Sequence, residues 1–241
     1  MENLRTQSIG KFVADDYRTA AVFQQYGIDF CCRGGKSINE VCESKKISAD
    51  ELLTKLNDVS KQSSDQSVDY QSWDLDLLAD YIEKKHHRYV EKTIPVLRQF
   101  LEKLCKVHGS AHPELFDIND QFNISAGELT IHMKKEELIL FPYIKKMLAL
   151  KKEPGQELNP EAGSVQNPIN MMMEEHSAEG DRFSKISELS DNYTAPADGC
   201  TTYNVAFDML REFEADLHMH IHLENNILFP GAINLEKELT A

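Results

Sequence analysis

No apolar run in this chain approaches the roughly 20 residues that a membrane-crossing helix needs. The N-terminus carries no signal-peptide pattern. Basic charge is scarce: 26 Lys and Arg stand against 40 Asp and Glu, and a net charge of −14 argues against a polyanionic partner such as DNA or RNA. Cysteine is sparse too, and the five present, an odd number with one adjacent pair, do not make a secreted disulfide framework. These absences set the expectation of a cytoplasmic protein with no nucleic-acid and no membrane partner. A length of 241 residues suffices for one or two domains and a sizeable core.

What is present is a motif written twice. His132-Met133-Lys134-Lys135-Glu136-Glu137-Leu138-Ile139-Leu140-Phe141-Pro142 is matched by His220-Ile221-His222-Leu223-Glu224-Asn225-Asn226-Ile227-Leu228-Phe229-Pro230. A spacing of four puts each His and its Glu on one helix face. That face is apolar, with Leu129, His132, Glu136, Ile139 and Tyr143 in the first copy and Phe213, Leu217, His220, Glu224 and Ile227 in the second. An ionised carboxylate on such a stripe costs several kcal/mol unless a cation meets it. A lone copy would read equally well as a hydrogen-bonded core pair; two copies in matching context favour a metal.

Residues 1–60 read as a small helical domain. Ser8 is placed to cap a helix that runs to Gly27, and Ser37/Glu40 and Ser48/Glu51 are two capping boxes. Between them lies Asp29-Phe30-Cys31-Cys32-Arg33-Gly34-Gly35-Lys36, where Arg33, Lys36 and a following helix N-terminus are expected to lower the thiol pKa values. A thiolate pair so placed can ligate metal or undergo redox exchange. Cys42, Cys105 and Cys200 read as space-filling. Residues 61–71 are polar and aperiodic, a linker implying flexible attachment.

Residues 72–241 carry four long helical patterns, to about 107, from 121 to 150, 168 to 190 and 201 to 236, with breaks or kinks expected at Pro95 and Pro142. Joined by loops, the one over 151–168 rich in Pro, Gly and Asn, they predict an all-α, antiparallel four-helix bundle. The repeat reaches further: His132 and His220 are 88 residues apart, and His87 and His176 are 89 apart. One helix pair thus offers His87, His132 and Glu136, the other His176, His220 and Glu224. Four imidazoles, two bridging carboxylates and an oxygen bridge give each of two metals about five bonds and one open position. Iron, manganese and zinc all suit these donors, and di-iron is preferred for a carboxylate-bridged pair in a bundle. His86 competes with His87, which the repeat favours. Glu91, Glu137, His218 and His222 read as outer or solvated, His108 and His112 as surface residues of a loop, and Met171-Met172-Met173 as core.

The bundle resembles the hemerythrin-like family, and the whole architecture is similar to the iron–sulfur cluster repair proteins of the repair of iron centres family. The match rests on Asp29-Phe30-Cys31-Cys32, His87-Arg88-Tyr89, His132 to Pro142, Glu175-His176 and His220 to Pro230. The resemblance implies a cofactor of two iron ions, non-haem and oxo- or hydroxo-bridged, on His87, His132, Glu136, His176, His220 and Glu224. It implies a stress-response role in restoring clusters damaged by nitric oxide or oxidants, with Cys31 and Cys32 taking part. Damaged iron–sulfur proteins and small diatomic ligands are the partners it suggests, and a homodimer is compatible with it. Two alternatives stand beside repair: oxygen or nitric oxide binding as in hemerythrin, and enzymatic reduction of nitric oxide or peroxide at the open metal position. Against the first, Gly180 stands where hemerythrins carry a further His.

Overall fold

The computed structural model describes residues 2–61, 68–152 and 164–240. Its helices are α1 (Glu2–Arg5), α2 (Ile9–Asp15), α3 (Thr19–Gln25), α4 (Ile38–Lys45), α5 (Ala49–Lys61), α6 (Leu75–Tyr81), α7 (Arg88–His108), α8 (Glu114–Lys135), α9 (Phe141–Lys152), α10 (Gln166–Leu189), α11 (Thr201–Leu223) and α12 (Phe229–Thr240). No strand occurs among the described residues, only an isolated bridge between Ser8 and Ser37.

Helices α7, α8, α10 and α11 form the antiparallel four-helix bundle, with α8 packed on α7 and α10, and α11 on α7 and α10. Among the described residues three helical runs contain a π turn: Ile82–His87 joins α6 to α7, Glu136–Leu140 joins α8 to α9, and Glu224–Leu228 joins α11 to α12. Pro142 and Pro230 follow the last two, and neither can donate to the carbonyl four residues back, so the backbone widens there. Pro95, by contrast, lies inside α7 without ending it.

The π turns correct the expected stripes. One extra residue per turn rotates the downstream side chains about the helix axis, so Ile139 is 63% exposed while Leu140 and Ile144 are buried. In the second copy the buried residue is likewise Leu228, with Ile227 only half-buried. The π turn at Ile82–His87 also buries both His86 and His87, which a regular period would have separated.

Other boundaries move. The N-terminal helix expected from Ser8 to Gly27 is two helices, broken at Asp16–Arg18, where Asp16 leaves helical backbone and its carboxylate accepts from the Arg18 guanidinium at 2.7 Å. Ser8 makes no side-chain cap, whereas Ser37 and Glu40 form a full capping box. Helix α8 starts at Glu114, so His108 closes α7 instead of lying in a loop. Of the Met171–Met173 run only Met172 is buried. The expected linker falls largely on 62–67 and the 151–168 loop on 153–163, both outside the described residues.

The N-terminal helices do not stand off from the bundle. Ile9, Val13, Phe23 and Phe30 belong to one apolar cluster with Val90, Leu129, Phe183 and Phe213 of the bundle. A second cluster, with Leu78, Ile144, Ile169 and Phe229, lies beyond the π turns. The two motif pairs sit on the turns that divide these clusters.

Candidate metal centre

Each motif glutamate is fully buried and divides its oxygens between two imidazole pairs. Glu136 Oε2 lies 3.3 Å from His87 Nε2, and Oε1 lies 3.4 Å from His132 Nε2. Glu224 Oε1 lies 3.1 Å from His220 Nε2, and Oε2 lies 3.1 Å from His176 Nε2. Across the bundle, the Nε2 atoms of His87 and His220 are 3.2 Å apart, and those of His132 and His176 are 3.0 Å apart. Two donor groups result, His87/Glu136/His220/Glu224 and His132/Glu136/His176/Glu224, each able to hold a metal ion and sharing both carboxylates. Each group draws one His from each half of the repeat, so the imidazole pairing runs across the two-fold instead of within a helix pair.

The donors fit a cation and little else. Glu136 Oε1 and Oε2 and Glu224 Oε2 are buried without a hydrogen-bond partner. Leaving buried carboxylate oxygens unmet costs several kcal/mol, and a bound cation removes that cost. Burial alone would raise the carboxyl pKa values, yet the facing imidazoles hold both Glu136 and Glu224 below the ordinary carboxylate range. Burial pushes His132 down, but Glu136, Glu224 and Glu175 outweigh it and raise its pKa to about 10. Positive charge is wanted at this point of the core, and a metal supplies it more compactly than protonated imidazoles.

An outer layer aims the rings. Glu137 lies 3.1 Å from His87 Nδ1, Glu175 2.7 Å from His132 Nδ1, and Asn225 Oδ1 2.8 Å from His176 Nδ1. A partner on Nδ1 leaves Nε2 to face the site. Glu137 and Asn225 each follow a motif glutamate and occupy equivalent positions of the repeat, 88 residues apart, a signal present in the sequence that helical periodicity alone obscures. Glu91 is peripheral, bound to Arg88 and Lys134. His86 stacks on His220 at 5.7 Å and bonds Asp216 at 3.0 Å, outside both donor groups. His222 is buried, not solvated, with the rings of Tyr17 and Phe30 against it.

The cysteine loop reaches this centre from the N-terminal side. Cys32 Sγ lies 3.2 Å from the His176 carbonyl oxygen, and a Cβ on Gly180 would come within 2.9 Å of that sulfur. The glycine in place of a further imidazole is thus space taken up by a thiol. The expected lowering of the thiol pKa is not found at Cys31: its hydrogen bond with Cys32, its burial and Asp29 raise it well above the usual value. Arg33 spends its charge on carboxylates, Asp181 at 3.0 Å and Asp29 at 3.9 Å.

Cys200, expected to fill space, is exposed. His108 lies 3.2 Å from its sulfur, and that contact, with backbone N–H groups at the start of α11, draws its pKa down to about 7. This pair is at the far end of the bundle, about 30 Å from His87 along α7.

Comparison with known proteins agrees with this architecture. Residues 78–232 match the hemerythrin HHE cation binding domain, and residues 5–60 match a domain of unknown function, DUF542, also called ScdA_N. The iron-sulfur cluster repair protein YtfE of Dickeya chrysanthemi is 32% identical over 232 residues, covering 96% of this chain and 99% of the relative. YtfE of Pectobacterium carotovorum is 33% identical over 233 residues, again 96% and 99%. The iron-sulfur cluster repair protein ScdA of Staphylococcus haemolyticus is 28% identical over 221 residues, 92% of this chain and 95% of the relative. With a hemerythrin-type cation-binding bundle behind a DUF542 unit, and relatives matched over nearly their whole length, this chain belongs to the ScdA/YtfE family of iron–sulfur cluster repair proteins.

Proposed function

We propose that this protein repairs iron–sulfur clusters damaged by nitrosative or oxidative stress, using a carboxylate-bridged non-haem di-iron centre together with the vicinal thiols Cys31 and Cys32. The observation that carries the reading is the division of oxygens: each of two buried glutamates presents one oxygen to each imidazole pair. A single ion would use one pair and strand the other. His87, His132, Glu136, His176, His220 and Glu224 would hold the two irons, and the N-terminal unit over residues 1–60 would carry the thiols to them. Bound there, the iron pair supplies one-electron redox chemistry and an exchangeable position for a small ligand.

The chain's own residues have defined parts. Glu137, Glu175 and Asn225 fix the imidazole tautomers so that Nε2 faces inward. The two apolar clusters exclude water on both sides of the donor layer. Asn225 joins the thiol loop to the centre, its Nδ2 donating to the Cys31 carbonyl at 3.2 Å while Oδ1 meets His176. Oxygen carriage is the weaker reading, because the position next to His176 that a further imidazole would need holds the Cys32 thiol.

Reactivation of a nitric-oxide-damaged iron–sulfur enzyme by the purified, iron-loaded protein tests the proposal. The expected result is two irons per chain, and loss of reactivation in Cys31→Ser/Cys32→Ser with iron content unchanged. Reactivation by the double variant at the wild-type rate would remove the thiols from the mechanism, and Mössbauer spectra of mononuclear iron only would remove the di-iron centre.

A further inference from the structure

Beside the six-donor centre stands a separate group of ligating atoms. The sulfurs of Cys31 and Cys32 are 3.7 Å apart, and Asp29 Oδ1 lies 3.3 Å from Cys31 Sγ. The three ligand atoms all lie within 4.8 Å of one another. A tight local turn points both thiols the same way: Asp29 Oδ1 accepts from the backbone N–H of Cys31 at 3.1 Å and of Cys32 at 2.9 Å. Asp29 is therefore both the scaffold of the pair and its neighbouring carboxylate.

The geometry discriminates between two uses of adjacent thiols. Consecutive Cα atoms are about 3.8 Å apart, below the roughly 4.4–6.8 Å that an unstrained disulfide spans. Two thiolates on one tetrahedral ion, with metal–sulfur bonds of about 2.3 Å, lie about 3.8 Å from each other, and a carboxylate oxygen on that ion lies about 3.5 Å from each sulfur. The first spacing matches the observed sulfur pair, and the second is close to the observed oxygen–sulfur distance.

We propose that Asp29, Cys31 and Cys32 form a third, mononuclear metal site, selective for a thiophilic divalent transition-metal ion. Two soft sulfurs and one carboxylate choose such an ion over magnesium or calcium, and three protein donors leave a position for an exchangeable ligand. The site has an approach from outside, because Cys31 lines a cleft of about 1040 Å³ between the N-terminal unit and α10 and α11, and Cys31 and Cys32 both line a second of about 300 Å³. On its inner side it meets the dinuclear donors through His176, whose carbonyl oxygen touches Cys32 and whose ring is tied to the Cys31 carbonyl by Asn225. Binding needs no oxidant: each thiol that binds releases its proton to solvent, so one divalent ion displaces two protons. The site's existence stands on this geometry alone. Its use, as a station that ferrous iron crosses only in passage from the dinuclear centre to a client and that stands free in the resting protein with two irons, rests on the function proposed above.

Cobalt(II) titration of the full-length, reduced, iron-loaded protein under anaerobic conditions tests it. One cobalt per chain should bind with thiolate-to-cobalt charge-transfer absorption. Cys31→Ser and Cys32→Ser should each cut that absorption by half or more, the double variant should abolish it, and Asp29→Asn should weaken binding tenfold or more while keeping the turn. Cys105→Ser and Cys200→Ser should leave it unchanged. X-ray absorption at the cobalt edge of the unmutated protein should find two sulfurs at about 2.3 Å, a readout that does not depend on any variant folding. Absence of sulfur around cobalt, or charge transfer that survives replacement of both cysteines, would overturn the site. Because imidazole and carboxylate give no such absorption, the outcome is separate from the iron count, which judges the dinuclear reading by itself.

Discussion

Glu136 and Glu224 have no neutral substitute in their positions, because an amide keeps the shape but removes the charge that two facing imidazole pairs are arranged to share. Glu136→Gln and Glu224→Gln should each purify with one or both metal ions missing, as elemental analysis would record. On helical periodicity alone Glu137→Gln would be silent, but Glu137 holds His87 Nδ1 and also pairs with Arg88 and Lys134. Loss of such an outer partner costs roughly 10–100-fold in metal affinity, so Glu137→Gln should load fully at saturating iron and lose metal to a chelator faster than the unmutated protein. Equal metal loss in all three would mean that the bridging role is assigned to the wrong carboxylates. At the other end of the bundle, Cys200 is exposed, with His108 at 3.2 Å and a pKa drawn down to about 7. The thiolate is the nucleophile, so alkylation of Cys200 should rise with pH through about 7 and be the fastest of the five cysteines at neutral pH. In His108→Ala the midpoint should move up; mass-spectrometric labelling rates that do not change would refute the pairing.

At the scale of elements, the π turns and the cysteine loop are fitted to each other. The π turn at Glu224–Leu228 presents Asn225 and Asn226 to the N-terminal unit, where they donate to the carbonyls of Cys31 and Phe30 at 3.2 and 3.3 Å. Gly10 and Gly34 keep the approach open, since a Cβ on either would come within 2.6 Å of Asn226 Oδ1. Gly180 does the same for Cys32 from the α10 side. Gly180→Val should push the loop outward at a cost of about 1–3 kcal/mol in overpacking, while leaving all six candidate metal donors in place. Faster hydrogen exchange over residues 28–36 and faster alkylation of Cys32, with metal content unchanged, are the expected results. Exchange and alkylation at the rates of the parent protein would show that the loop is not seated on α10 in solution.

At the scale of the whole molecule, the two sequence units share one apolar cluster, and the second cluster, beyond the π turns, belongs to the bundle unit alone. All six candidate donors lie at or after His87, so a chain beginning at residue 72 should still bind metal. It would, however, lose the cover that Tyr17 and Phe30 give to His222, and that Phe30 gives to His218. At roughly 2–4 °C per kcal/mol for a chain of this size, and several kcal/mol for the apolar area uncovered, the truncated bundle should melt on the order of 10 °C lower. Differential scanning calorimetry with metal analysis measures both quantities together. Loss of metal on truncation would contradict a division at residues 61–71 and give the N-terminal unit a part in closing the centre.

The amino-acid sequence determined the helical class, the doubled His-x-x-x-Glu and its inward direction, because periods of three and four are set by backbone geometry and repeat in any context. It also singled out Gly180 as the missing imidazole and Cys31-Cys32 as the unusual pair. Local pattern could not give the π turns, since an inserted residue changes which face is buried without leaving a compositional mark; hence periodicity places Ile139 inside and leaves His86 and His87 competing for one position. Nor could it tell that His87 faces His220 and His132 faces His176, or that Cys32 fills the space at Gly180. Those pairings join residues 44 to 148 positions apart, and only the packing of four helices against an N-terminal cap decides which of them meet.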